Sequence, residues 1–291
     1  MTLTLDTITL GVPRVEAACA FYESAFARTA DHNRTTGFDL YGTGRLAFRS
    51  IDALAADVGA DSSSSGFRGF VLGSIVSQPG EVRVLLETAA TNGATVVKPP
   101  RKQLFGEFTA VYRAPDGAVW KLAASSKKDA SRIPDPPTPT ETAVYLGVTK
   151  PTASRRFYEA VGMSADHDYG DRFIDFTAPA GVCRLGLLSR RDLAKDAGVD
   201  ERGEGFCAVV LEHAAGSPDE VDALIAAAES AGGRVIAATD ADRGEYAGHF
   251  ADPDGYYWKV SAGISGSRRG AECRRNLGQA VEIAGSCVSL W

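Results

Sequence analysis

Two lysines stand in matching places in this 291-residue chain. Lys121 closes the stretch "APDGAVWK" and Lys259 closes "DPDGYYWK", each four residues past the glycine of an Asp-Gly turn. An ammonium group on a strand can anchor an acidic ligand, and once desolvated it can titrate near neutral pH and serve as a base. Glu212 is a further candidate acid or base, His213 follows it at the end of a strand, and His249 stands just before the second turn. His167 and His32 lie among the aspartates Asp166, Asp168 and Asp31. None of these histidines pairs with a recognisable nucleophile: there is no Ser-His-Asp order, no G-x-S-x-G and no phosphate-binding glycine loop. Cys207 is a conceivable nucleophile, although a small buried residue is the simpler reading. The five cysteines are an odd number without C-x-x-C spacing, which points away from a disulfide framework or a zinc site.

Bulk properties narrow the partner. A formal charge of -6 disfavours electrostatic binding to nucleic acid or to an anionic membrane. No apolar run is long enough to span a bilayer, and "MTLTLDTITL" lacks the basic start and apolar core of a signal peptide. The expectation is a cytoplasmic protein whose partner is a small molecule.

The lysines repeat because the chain does. "TITLGV" from Thr7 matches "TAVYLGV" from Thr142, with Phe21-Tyr22-Glu23 over Phe157-Tyr158-Glu159. "GFRGFVL" at Gly66 matches "GFCAVVL" at Gly205, and "EVRVLLETAATNGATVV" at Glu81 matches "EVDALIAAAESAGGRVI" at Glu220. Internal repeats of this kind decide the architecture. The copies span residues 1–123 and 141–262, joined by a Pro-rich linker at 124–140. The tail 263–291, with its basic cluster "SRRGAECRR", matches nothing in the first copy and reads as disordered or as a lid. Each copy alternates like half-buried strands over 5–12 and 142–148. A helix follows each, and then the strands "RLAFRSI" and "VCRLGLL". Later helices carry the stripes Val82, Leu85, Leu86, Ala89 and Val221, Leu224, Ile225, Ala228, the second opened by Ser217-Pro218-Asp219-Glu220 as N-cap, first-turn Pro and third-position Glu.

This order resembles the vicinal oxygen chelate superfamily of glyoxalases, bleomycin-resistance proteins, fosfomycin-resistance enzymes and extradiol dioxygenases. The residues that carry the resemblance are the opening strand with "FYE" in its helix, the mid-copy "GFRGFVL", the helix ending in "NGA" or "AGG", and the closing "DPDG" hairpin with its Trp. It implies an α+β fold of four βαβββ units that form two cup-shaped mixed sheets with helices outside. It also implies a divalent metal held by His and Glu on strands facing the cup. The positions that correspond are Thr7 and Thr142 on the opening strands, Phe67 and Phe206 at the mid-copy strands to within one residue, and Lys121 and Lys259 in place of the last glutamate. The optional fourth strand offers arginines. An ammonium group repels a divalent cation, and Thr or Phe cannot replace imidazole, so no metal and no other cofactor is expected.

Strand alternation then selects the lining of the cups. With "DPDG" as a four-residue loop, Tyr246 and Phe250 share a face with Tyr257 and Lys259, and Phe108 and Tyr112 share one with Val119 and Lys121. Phe67, Phe206 and, depending on where its strand starts, Glu212 complete the set, while His249 and Cys207 turn toward the helices. An aromatic cavity with one or two ammonium groups suits a planar or apolar ligand bearing an acidic group. The reading that follows is a metal-free protein that binds or sequesters such a ligand, as antibiotic-resistance members do, and that is a monomer or homodimer. The alternatives are an enzyme of the same fold (lyase, isomerase or dioxygenase-like) without the usual metal site, and cups simply filled by their own side chains.

Overall fold

The computed structural model describes residues 2–263 except 32–35, 104–106, 130–131 and 243. His32, Cys273, Cys287 and the basic tail cluster fall outside the described residues. The first copy contains β1 (Thr7–Val12), α1 (Val15–Phe26), β2 (Gly37–Asp39), β3 (Arg45–Ser50) and α2 (Ile51–Asp57). It continues with β4 (Ser64–Gly66), β5 (Phe70–Val76), α3 (Pro79–Thr91), β6 (Thr95–Lys102), β7 (Phe108–Arg113) and β8 (Val119–Ala124). The second copy follows the same plan. Its first half holds β9 (Glu141–Val148), α4 (Pro151–Ala160), β10 (Ala165–Asp168), β11 (Ile174–Phe176), β12 (Arg184–Ser189) and α5 (Arg190–Ala197). Its second half holds β13 (Gly203–Gly205), β14 (Val209–Ala214), α6 (Pro218–Ser230), β15 (Arg234–Asp242), β16 (Glu245–Ala251) and β17 (Tyr257–Gly263). Among the described residues no helix is long and apolar enough to cross a membrane.

Each large sheet takes one half of each copy. One runs β15-β16-β17-β14-β1-β3-β2 and the other β10-β11-β12-β9-β5-β8-β7-β6. The copies join where β1 pairs antiparallel with β14 and β5 with β9. Both cups are therefore shared between the copies, and we call the cup with β1 and β17 cup 1 and the cup with β9 and β8 cup 2.

The convex faces hold the main core, and the repeated signature residues sit there. Trp120 Nε1 donates to Tyr22 Oη (3.1 Å), whose hydroxyl donates to Asp116 (3.0 Å). Trp258 Nε1 donates to Tyr158 Oη (3.4 Å), and that hydroxyl donates to Asp252 (2.6 Å). The FYE tyrosine, the hairpin carboxylate and the Trp thus tie the first helix of each copy to its last hairpin, with every buried polar atom in the relay partnered. The later helix opens as its sequence predicts: Ser217 accepts from Glu220 N (3.3 Å), and Glu220 accepts from Gly216 N (2.9 Å).

The hairpin loops hold three residues, not four. Ala114 N donates to Ala118 O (2.8 Å) and Asp252 N to Tyr256 O (2.9 Å), while Gly117 and Gly255, both at φ 91, supply the left-handed residue that ends a three-residue turn. That one residue shifts the register. Lys121 pairs with Val111 and Tyr112 with Trp120; Lys259 pairs with His249 and Phe250 with Trp258. Because the side-chain period is two, the slip reverses a face.

Candidate functional site

The register correction decides which predicted residues can meet a ligand. Phe108, Tyr112, Tyr246 and Phe250 lie on the helix face, not in the cups: Phe108 packs under Arg83 of α3, and Tyr246 Oη donates to Asp222 of α6 (2.9 Å). His249, expected toward the helices, shares the cup face with Lys259. Burial and the nearby Lys259 ammonium hold its imidazole below the ordinary range.

Across each cup the pairing draws one transverse row. In cup 1 it reads Arg45, Thr7, Glu212, Lys259; in cup 2 it reads Arg184, Ala143, Gly73, Lys121. Both lysines stand in equivalent places, as do both arginines. The mid-strand members are Glu212 and Gly73, whereas Phe67 and Phe206 precede their strands in loops. Thr142 turns off the cup face, with its hydroxyl 2.7 Å from that of Thr43; Ala143 takes the row position.

Cup 2 is closed over its row. The ring of Tyr145 lies across Gly73 and Gly186, where added Cβ atoms would come within 2.8 and 2.7 Å of it. Leu193, Ala194 and Ala197 of α5 pack with Phe67, Val71, Val111 and Val119 over the adjoining floor. Lys121 Nζ holds Asp196 of that helix at 3.0 Å and Glu107 at 3.6 Å. Lys98 donates to the carbonyls of Lys195 and Asp196 at the end of α5 (2.9 and 2.6 Å).

Cup 1 is covered only in part. Leu54, Ala55 and Val58 pack with Phe206, Ala208 and Val210, and Tyr257 borders them. The row itself keeps its charges. Glu212 accepts from the Thr9 hydroxyl, and Lys259 Nζ bonds Glu245 at 2.8 Å. Burial pushes the Glu212 carboxyl above its ordinary range, against the opposing pull of Lys259 and the Thr9 hydroxyl.

Neither row fits a divalent metal: one offers a single carboxylate, Glu212, separated from His249 by the Lys259 ammonium, and the other offers no ligand. Among the described residues Asp166, His167 and Asp175 bring ligand atoms within 4.8 Å of one another at the edge of the second sheet. Arg184 already occupies them, at 2.8 Å from Asp166 and 3.4 Å from Asp175. That group is an ion-pair network.

A cavity of about 540 Å³ opens at the seam between the copies. The ribbon of β4 and β13 bridges it, with Phe67 N donating to Arg202 O and Phe206 N to Ser63 O, both 2.9 Å. Gly66 and Gly205 permit this crossing, since a Cβ on either would lie 2.3 or 2.1 Å from those same carbonyls. Phe67, Phe206 and Tyr257 from the predicted set line the cavity, joined by Arg68, Arg190 and Cys207, which the sequence reading missed or turned elsewhere. Cys207 lies in the loop before β14, and burial pushes its thiol up to about 11, so it is a poor nucleophile at neutral pH. Arg68 and Cys207 are equivalent in the aligned "GFRG" and "GFCA", but a repeat by itself does not show that the two places meet.

Comparison with known proteins agrees with this geometry. Residues 4–122 and 142–260 each match the family model described as Glyoxalase/Bleomycin resistance protein/Dioxygenase superfamily. No curated protein matches the chain. Among solved structures, a putative dioxygenase from Bacillus subtilis is 14% identical, with a TM-score of 0.61 over 91% of this chain and 87% of that one. Glyoxalase I from Zea mays is 16% identical, with a TM-score of 0.59 over 90% and 92%. At such identities the likeness is one of fold, and with the paired family match it establishes that the chain is a tandem member of the glyoxalase/bleomycin resistance protein/dioxygenase superfamily.

Proposed function

We propose that the protein is a metal-free small-molecule binder of this superfamily, acting in the cytoplasm, and that its ligand occupies the seam cavity. The observation that carries this reading is the cavity itself. At about 540 Å³, with Phe67, Phe206 and Tyr257 in its walls and a few polar groups converging, it has the size and lining of a ligand site. The cup rows supply no metal set, and cup 2 is closed by its own side chains. A binder needs only shape, apolar walls and anchors, and the seam has all three.

A thermal-shift screen of planar aromatic acids, neutral aromatics and antibiotics tests it. A ligand present at about one hundred times its Kd adds about 2.7 kcal/mol to the folded state. The shift should shrink in Tyr257→Ala and persist in Lys259→Ala.

A second reading is favoured by Glu212: a half-buried carboxyl whose proton affinity is raised, in a row with Lys259, is equipped for proton transfer without a metal. Under that reading the substrate sits in cup 1. A ligand shift lost in Lys259→Ala and Glu212→Gln but kept in Tyr257→Ala would select it over seam binding.

A further inference from the structure

The charges at the seam specify the ligand more closely, on the assumption that the seam cavity is the binding site. Among the described residues the hydrogen-bond partners of Arg190 are carbonyls: it donates through Nε to Glu201 O (3.0 Å) and through Nη2 to Phe67 O (2.5 Å) and Gly203 O (3.3 Å). Its guanidinium carbon lies 5.3 Å from the centroid of the Phe67 ring. Arg68 donates through Nη2 to Asp116 O (2.9 Å), while its buried Nη1 has no partner among the described residues. Among the described residues neither guanidinium has a carboxylate at ion-pair distance. Carbonyl bonds fix a guanidinium but leave its formal charge uncancelled, and the Asp116 carboxylate acts on Arg68 only from beyond ion-pair distance.

Three carboxylates also border the cavity. Asp254 is engaged by Thr149 N (2.7 Å) and the Ser154 hydroxyl (2.5 Å), and Asp61 by Ser63 N (2.7 Å). Glu204 is exposed on the ribbon. Asp61 and Glu204 are exposed at the rim, whereas Asp254 is half-buried like Arg68 and Arg190, so two guanidinium groups face one carboxylate within the cavity. Phe206 and Tyr257, with ring centroids 5.8 Å apart and planes tilted by 57°, form an aromatic corner.

We infer that the seam cavity selects planar aromatic anions over neutral molecules of the same shape, with Arg68 and Arg190 as the charge-recognising residues. An anion in the cavity offsets positive charge that has no carboxylate partner, which a neutral ring cannot do.

Two fluorescent probes with one ring skeleton test this on the full chain: 1-anilinonaphthalene-8-sulfonate, which carries a sulfonate, and N-phenyl-1-naphthylamine, which lacks it. The sulfonate is expected to bind one per chain and at least tenfold more tightly than the neutral amine. Raising the salt should weaken the sulfonate and leave the amine unchanged. Ser63→Trp, a bulky residue at an exposed position on the cavity wall, should weaken both. Arg68→Met should bring the two probes to similar affinity, and because the wild-type comparison already reads selectivity, the test does not depend on that variant folding. Equal affinities for the two probes, both weakened by Ser63→Trp, would overturn anion selection and leave the cavity as an apolar binding site. Failure of both probes to bind, or binding indifferent to Ser63→Trp, would overturn the seam site and the selectivity with it.

Discussion

Glu212 is hard to explain by folding alone, and the duplication supplies the control. The equivalent place in cup 2 is Gly73, in a sheet with the same strand pairing, so the fold does not require a carboxylate there. Burying one is costly unless it is paired. The Glu212 carboxyl is held above its ordinary range by burial, so the folded state keeps the proton to higher pH than the unfolded chain does. The sign follows: its penalty is absent below the unfolded value and develops as pH rises through the folded one. Glu212→Gln should match the wild type in urea unfolding near pH 4 and exceed it at pH 8; a gap that widens instead as pH falls would contradict the buried-carboxylate account. At this scale the sequence shows the chemistry but only part of the geometry. Lys121 and Lys259 fall on the cup faces, the side that the resemblance implies for residues in place of the family's last glutamate. His249 and four aromatics fall on the opposite faces from those expected, because a single loop residue sets their side.

The elements were largely readable where local rules govern them. Alternation marks the opening strands, and Ser217 with Glu220 marks the start of α6. The short helices α2 and α5, which cover the cup floors, escaped that reading, although Ser50 and Ser189 cap them by accepting from Ala53 N and Asp192 N. Their apolar stripes span barely two turns, too short for periodicity to stand out. Hairpin register escaped for a related reason: "PDG" fits a three-residue or a four-residue connection, and the choice rests on hydrogen bonds at the tip. Both cup-covering helices are also tied by charge, α2 through Asp57 to Arg49 at 3.2 Å and α5 through Asp196 to Lys121 at 3.0 Å. Lys121 is only 17% exposed and holds two acids, whose fields, together with their hydrogen bonds, outweigh desolvation and keep its ammonium above the ordinary range. That contribution is therefore present at neutral pH and is lost only as pH rises through the raised value. A double-mutant cycle of Lys121→Met with Asp196→Asn should give a coupling of about 0.5–1 kcal/mol, with Lys121→Met alone costing about 1–2 kcal/mol. Additivity within error would show that the Lys121–Asp196 pair does not help to hold α5.

At the scale of the whole molecule, the repeat was plain in the sequence but the exchange of halves between sheets was not. Strands that read as members of one copy pair with the other, and nothing in a strand's own pattern names its neighbour across more than one hundred residues. The arrangement has a mechanical consequence. Aromatic contacts such as Tyr22 with Trp120 and Tyr158 with Trp258 bind each copy internally. The registers Thr7↔Glu212 through Leu10↔Val209 and Phe70↔Leu146 through Ile75↔Glu141 bind the copies to each other, and the β4–β13 ribbon closes the seam. The connection between β8 and β9 adds a covalent link to an interface already made of backbone hydrogen bonds and buried side chains. A specific protease site placed beside the exposed Lys127 and Lys128 should therefore be cut without separating the copies. The nicked protein should elute at the position of the intact chain, show two fragments only under denaturing conditions, and retain any ligand-induced thermal shift. Two half-sized species in native solution would mean that the shared sheets do not hold the copies together, and with them would go the seam cavity that only the assembled pair encloses.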